Sequence, residues 1–467
     1  MRLLACAAAL LVACGSADVA TPDDAGADTA ASDADAPESG PVRWARSGGD
    51  GNSQFGYGVA VDASGNVFAV GEFGGAIDLG AGALDNPKGS VVSGFVAKFD
   101  RSGRALWSRR IGSTTEAAAY AVAVDAAGHA YVVGYFKGEL DALGTKLVSA
   151  GETDAFLVEL DPDGKLVFAQ RWGDSGSQVL NTVVVAADGT IALGGDFDGT
   201  IDFGGGPLVT AGLADVFVAT LDRDKKHLLS KRWGGPDKDR RPRVAFAPDG
   251  GLWVTASYRG VIDVGGGPLP DRYDGAFLLR LDKSGAHRAS KGFDGDGWQF
   301  PTGLSVSPSG ALALSARFTR TVVIDGQKLE SASGEDALLA VFGDDGKLAW
   351  AERYGGFNQD AISGLAWDPR GDLWITGELL EKLGPLSSAG GSDAFVARLD
   401  AKGTWLWSLR FGDGGDQRGT KVAVDPLGGA VVVGSFFGGI DLPGGFHLAS
   451  SGGFDPSGGD VFLASFR

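Results

Sequence analysis

The chain has 467 residues, a formal charge of −18 and a pI near 4.6, so phosphate backbones and anionic headgroups repel it and nucleic acid is not an expected partner. Glycine occurs 77 times, beside 11 Trp and 26 Phe, and glycine-dense turns between aromatic and Val-rich runs specify many short strands rather than helices. Both cysteines, Cys6 and Cys14, fall at the extreme N-terminus, and there are only four histidines. The rest of the chain can form no disulfide, it offers little raw material for a metal or acid–base cluster, and no cofactor is expected.

In chain order, the first element is an address. Met1-Arg2 precedes an apolar run over 3–13, too short to span a bilayer, which takes about 20 residues as a helix, and of the length of a secretory signal. It ends in Leu11-Val12-Ala13-Cys14, which resembles the lipobox of bacterial lipoproteins. That resemblance implies cleavage before Cys14, acylation of Cys14 as the lipidation site, and stable anchoring, since several buried acyl chains hold where one does not. Gly15 follows the cysteine, which by analogy with the enterobacterial sorting rule implies the outer membrane, facing periplasm or cell surface. Residues 14–41 then form a tether: Asp18, Asp23, Asp24, Asp28, Asp33, Asp35 and Glu38 meet no base before Arg43, and such a stretch buries too little apolar surface to order itself. The expected organisation is a signal over 1–13, the tether over 14–41 and one folded domain over 42–467.

The folded part repeats. The clearest copy runs from Tyr120 to Gly173, and its turn glycine, Gly128, recurs as Gly65, Gly189, Gly250, Gly310, Gly371 and Gly428. A second anchor recurs as Phe95, Phe156, Phe217, Phe277, Leu338, Phe395 and Phe462. A third, near the start of a short strand, recurs as Trp44, Trp107, Phe168, Leu229, Ala289, Trp350 and Trp407. The best copy reads as four strands, over 121–125, 129–135, 154–160 and 166–172, with a glycine-rich connection between the second and third. The turn Asp161-Pro162-Asp163-Gly164 joins the last two, proline presetting φ and glycine taking the strained final position. Radially repeated four-stranded antiparallel units describe a propeller. The expected fold is therefore an all-β, seven-bladed β-propeller. Its last copy lacks a fourth strand, while an extra strand over 42–47 precedes the first. Adding that strand to the last blade closes the ring and hides two sheet edges, which places Trp44 in the blade of Phe462.

The VAVD-x-x-G turn (122–128), the following Val132-Val133-Gly134 and the DAF-led element over 154–161 resemble the SBBP family of bacterial seven-bladed propeller repeats. The resemblance covers 42–467. It departs at Asp336-Ala337-Leu338, which lacks the aromatic, and at Ser93-Gly94-Phe95, which lacks the aspartate. The family implies a secreted or envelope protein and no particular activity. The stretches 345–350 and 400–407 are similar to the Asp…Gly-Lys…Trp repeats of pyrroloquinoline-quinone propellers, where that motif locks neighbouring blades. Blade-locking is the role expected here.

Candidate sites are sparse. Asp-rich turns such as 161–164 and 294–297 lack the later carboxylate that seals a calcium loop and read as hairpin turns. An aspartate in the long connection, at Asp78, Asp141, Asp202, Asp263, Asp325 and Asp441, is expected to accept local backbone N–H groups. Eleven residues before each turn glycine stand Gln54, Ala117, Gln178, Asp239, Gln299, Asp360 and Gln417. These side chains either cap their own loops or form a polar ring at the channel mouth. The copies differ most around them, at Asp239-Arg240-Arg241, Trp298-Gln299-Phe300 and Asn358-Gln359-Asp360, and variable loops on a rigid scaffold carry function. The expected ligand-binding residues are Gln54, Gln178, Arg240, Trp298, Gln299, Gln359 and Gln417. No nucleophile–base–orienter set or nucleotide motif stands out, and the histidines fall in turns and loops, where solvated side chains are expected.

The expected protein is a non-catalytic, monomeric envelope lipoprotein, held to the membrane by its lipid anchor, whose propeller binds a protein or polysaccharide. A glycan-acting hydrolase or lyase with carboxylates at the channel mouth and a structural component of a surface assembly are the alternatives.

Overall fold

The computed structural model describes residues 41–86, 91–453 and 458–467. Cys14, its signal and nearly all of the tether lie outside the described residues. Among the described residues every regular element is a β-strand. Five four-stranded antiparallel sheets and one ten-stranded sheet carry the fold, with two-stranded hairpins between them.

In a typical sheet the strands Gln178–Val185, Ile191–Phe197, Asp215–Leu221 and His227–Trp233 pair in chain order. The ten-stranded sheet contains two such meanders, one starting at Gln54–Val61 and the other at Glu116–Val124. A single parallel bridge, Val92 to Glu116, and the hairpin Glu139–Ala142 laid on Ala105–Ser113 join them. The first strands of successive meanders touch in turn: Gln54–Val61, Glu116–Val124, Gln178–Val185, Arg240–Phe246, Gln299–Val306, Ala361–Trp367 and Gln417–Val424, with the last returning to the first. The arrangement is propeller-like.

Burial explains why each strand has its composition. The third strand Asp154–Leu160 is buried at every position because sheets cover both of its faces, so it is apolar apart from Asp154 and Glu159. First strands alternate, with one side against a neighbouring sheet and the other toward the centre. The hairpins form because their aspartates and glycines supply the turns: Asp125 Oδ1 accepts the N–H groups of Ala127 and His129, both at 2.9 Å, and Gly128 takes φ of 84°. Asp78, Asp141, Asp202 and Asp263 likewise each accept a glycine N–H at 2.6–2.8 Å.

The core lies between sheets. Phe95, Phe156, Phe217, Phe277, Phe395 and Phe462 are fully buried, and Leu338 at the corresponding place is 1% exposed. Burying one such side chain is worth about 1.5–3 kcal/mol. The aspartate of the DAF-type element is buried as well, and its fourth-strand neighbour supplies an arginine: Arg171–Asp154, Arg232–Asp215, Arg353–Asp336 (2.7 Å) and Arg410–Asp393 (3.1 Å). Repeated ion pairs of this kind explain why aspartate recurs in an otherwise apolar strand.

The strand Val42–Gly48 completes the last sheet. It pairs with Asp460–Phe466, Trp44 opposite Ser465 and Ser47 opposite Phe462. Trp44 therefore shares a sheet with Phe462 while the two rings meet different neighbours. The indole stacks on Phe99, 6.1 Å between centroids, and Phe462 packs edge-on against Phe411 and Phe436. Three tryptophans of outermost strands also donate a hydrogen bond to a turn of the adjoining meander: Trp44 to Arg101 O, Trp107 to Pro162 O and Trp350 to Ala401 O, at 2.9–3.0 Å. Gly103 and Gly164 sit under the indoles of Trp44 and Trp107, where a Cβ would approach within 2.4 and 2.7 Å of ring atoms.

Two details depart from the expected repeat. The connection between second and third strands is itself a short hairpin in several units, as in Glu139–Ala142 with Thr145–Val148. In one unit the connection disappears, because Leu312–Ile324 and Gln327–Phe342 run on as one long hairpin with a slip between Thr319 and Thr321.

Candidate functional site: the loop face and the central channel

The glutamines expected to ring the channel mouth are buried, Gln54, Gln178 and Gln417 completely and Gln299 to within 1%. Each amide closes its own loop. Gln178 Nε2 donates to Asp174 Oδ1 (2.8 Å) and Asp198 O (2.9 Å), and Gln417 Nε2 donates to Asp413 Oδ1 and Phe437 O (both 2.8 Å). Gln54 donates to Asp50 Oδ1 (2.7 Å) and Gly74 O (3.1 Å), and Gln299 joins Asp294 O to the N–H of Ala276 (3.0 and 3.1 Å). Where the copy carries aspartate, the carboxylate does the same work: Asp239 accepts from Gly235 and Arg259, and Asp360 from Gly356 and Leu380, at 2.9–3.0 Å. Burial pushes Asp239 up to about 6 and raises Asp360, against those hydrogen bonds. The expectation of ligand contacts at Gln54, Gln178, Gln299 and Gln417 is thus corrected to loop closure, because no surface of these side chains is open to a ligand.

Residues three positions further on reach the channel. In each first strand the pairing slips by a residue, so that Tyr57, Tyr120, Asn181, Thr302, Ser363 and Thr420 are left out of the register. In Arg240–Phe246 the slip takes in Arg241 and Pro242. The unpaired residues, with Arg241 in place of Pro242, line a central cavity of about 580 Å³ together with Arg243, Phe300, Arg317, Glu378, Arg418 and Lys421. A bulge re-aims a side chain, and here it is repeated around the ring. The sequence hides this set because its chemical types differ from copy to copy.

The channel is electrostatically uneven. On one side Tyr57 donates to Glu72 (2.9 Å), Tyr135 to Glu116, and Tyr57 packs edge-on against Tyr120 at 5.1 Å. Burial raises the Tyr57 phenol and the Glu72 carboxyl, and pushes Tyr120 up to about 12. Elsewhere Arg317 pairs with Glu335 (2.9 Å) and Arg418 with Glu378 (2.6 Å). Arg241, Arg243 and Lys421 make no ion pair among the described residues. Arg243 spends its donors on backbone, Nε to Thr302 O (3.0 Å) and Nη1 to Pro242 O (3.2 Å). Burial, with Arg243 as a like charge, brings Lys421 down to about 7, and burial brings Arg243 down to about 10.

A second cavity, of about 820 Å³, opens on the surface. Two exposed rings line it, Trp298 (46%) and Tyr273 (66%), with Asp271, Arg272, Asp296, Thr319, Arg320 and the segment 331–334. Trp298 is fixed by hydrogen bonds of its backbone with Thr319, both at 3.0 Å, and lies 6.3 Å from Phe300 at the channel wall. Tyr273 lies under Arg259, 4.0 Å from centroid to guanidinium, and Arg259 holds Asp274 in a fork at 2.8–2.9 Å. The hydrogen bond from Thr321 holds Asp296 below the usual carboxylate range. Of the expected site residues Trp298 is therefore in a cavity, whereas Arg240 and Gln359 are exposed and line neither one. Tyr273 and Arg272 escaped the sequence reading: they begin the third strand Arg272–Leu281, ahead of the Asp274-Gly275-Ala276-Phe277 element and outside the loop in which the copies were compared.

His129 also differs from expectation. It is tied to the buried Glu159 at 2.9 Å, with Lys225 paired to the same carboxylate. It is a structural contact between hairpins.

No family model matches the chain, and no curated protein matches it in sequence. Solved structures with a similar arrangement of strands include Sqt1 from Chaetomium thermophilum (14% identity, 90% of this chain and 88% of that one, TM-score 0.40). The WD40 domain of Neurospora crassa Pan2 is similar at 10% identity, 89% of each chain and a TM-score of 0.42. The polysaccharide lyase Uly1 is similar at 11% identity, 88% and 90% coverage and a TM-score of 0.44.

Proposed function

We propose that this protein is a lipid-anchored, non-catalytic cell-envelope scaffold that binds polysaccharide in the cavity formed by Trp298 and Tyr273. Its body is a seven-bladed propeller: the ten-stranded sheet counts as two blades, which with the five four-stranded sheets makes seven. Cys14 is the lipid attachment site and the acidic segment after it the tether. The observation that carries the binding reading is the pair of exposed aromatic rings in one cavity among carboxylates, guanidinium groups and hydroxyls. A sugar ring presents apolar C–H faces and polar edges, so it stacks on an amphipathic ring and hydrogen-bonds around it. Asp296, held ionised by Thr321, suits hydrogen-bond acceptance from sugar hydroxyls. A glycosidic general acid needs the opposite, a carboxyl whose affinity for its proton is raised.

The test is retention on insoluble cell-envelope polysaccharide. Trp298→Ala and Tyr273→Ala are expected each to reduce retention at least tenfold with an unchanged melting temperature, since both rings are solvent-exposed. Full retention by both variants would exclude the cavity, and release of shortened sugar products by the wild type would replace binding with catalysis.

A further inference from the structure

The central channel holds three cations that make no ion pair among the described residues. Arg241 and Arg243 come from one first strand and Lys421 from another, and the same cavity wall carries all three. Of the carboxylates nearby, Glu378 pairs with Arg418 and Glu335 with Arg317, while Asp196, bonded to Asn181 (2.8 Å) and to the backbone N–H of Arg241 (3.2 Å), lies near Arg241 and Arg243 without an ion-pair contact to either. Lys421 is half-buried, with protein on every side of the channel. Arg241 sits at φ of 58°, a left-handed conformation that a non-glycine residue keeps only where its surroundings impose it, often at functional positions. Arg243 and Lys421, half-buried and near enough to repel each other, are unfavourable unless something anionic joins them, and Arg241 stands exposed on the same wall.

We propose that the central channel binds a small multivalent oxyanion, bearing phosphate or carboxylate groups, between Arg241, Arg243 and Lys421. The guanidinium fork matches either group in a bidentate geometry, and an ammonium supplies a compact third charge. A cavity of about 580 Å³ accommodates a small organic anion rather than a polymer segment. This site is separate from the Trp298 cavity, and an inorganic ion has no sugar ring, so the two readings fail independently.

The probes are inorganic phosphate and citrate, titrated calorimetrically into the full-length protein at constant ionic strength, with glucose as the neutral control. One equivalent of at least one anion is expected to bind saturably, and glucose to give no heat. Phosphate binding alone, citrate alone, or both would assign the preferred group. Lys421→Met and Arg241→Gln should each weaken binding at least tenfold, while Lys146→Gln, on an outer hairpin, leaves it unchanged. Circular dichroism melting shows that each variant is folded. No saturable heat with either anion, or the same affinity in both channel variants as in the wild type, would overturn the proposal. Stabilisation that rises without saturation and equally in all variants is general salt exclusion, and it would overturn the proposal too.

Discussion

A buried amide with each polar atom placed is worth more to stability than an exposed one is to binding. In Gln417 the Nε2 bonds to Asp413 and Phe437 and the Oε1 accepts the Asp413 N–H at 3.2 Å. Replacing Gln417 by Ala takes the side-chain donor from Phe437 O and the acceptor from the Asp413 N–H, while the Asp413 carboxylate keeps Gly415 and Gly439, at a cost of about 1 kcal/mol. We expect Gln417→Ala to lower the urea midpoint while retention on polysaccharide stays as in the wild type. A lost ligand with unchanged stability would instead return Gln417 to the binding surface. The recurrence of this glutamine was legible in the sequence, but recurrence marks a structural duty shared by every copy. The channel residues Tyr57, Tyr120, Asn181 and Lys421 share none of their chemistry, so comparison of copies passes over them, and only the repeated slip in strand register brings them together.

At the scale of strands, periodicity served well wherever burial differed between faces. The strands expected over 154–160 and 166–172 are observed with those bounds, because a mostly apolar third strand ending in an Asp-Gly turn admits few other readings. The short connection hairpins were less legible, since strands of two to four residues are too short for a period to stand out. The closing strand leads to a sharp expectation. Without Val42–Gly48 the edge of Asp460–Phe466 has unpaired N–H and C=O groups, a template for another chain. A protein beginning at residue 49 should melt at lower temperature and form concentration-dependent oligomers by light scattering, and a synthetic peptide of residues 42–48 should partly restore the monomer by strand addition. An unchanged monomer of unchanged stability would mean that the last sheet does not need this strand.

For the molecule as a whole, the channel sets stability against charge. Lys421 ionises near 7 in the fold and near 10.4 in an unfolded chain. Between these values the unfolded state holds a proton that the folded state lacks, so stability rises with pH; below about 7 both states are charged and the buried cation is at its most costly. Arg241, Arg243, Arg317, Arg418 and Glu378 line the same space and Asp196 adjoins it, and Arg243, brought down to about 10 by burial, begins to lose its charge only at the top of this range. In anion-free buffer Lys421→Met should therefore melt higher than the wild type at pH 6, with the gap narrowing towards pH 10. A gap that widens with pH would reverse the assignment of the penalty to Lys421. The propeller-like arrangement was readable from the repeats, whereas the uneven charge of the channel was not, because residues distant in sequence meet only once the ring is formed.

The sheet that contains both Val42–Gly48 and Asp460–Phe466 is assembled from opposite ends of the chain, and the Arg467 N–H donates to Pro41 O at 3.0 Å. Of the described strands, the first to leave the ribosome must then wait for the last. Until that moment two bare edges coexist at the growing ring, and any partner that pairs with either of them competes with self-completion. A helper that shields the waiting strand until Asp460–Phe466 arrives would raise the yield of the closed ring.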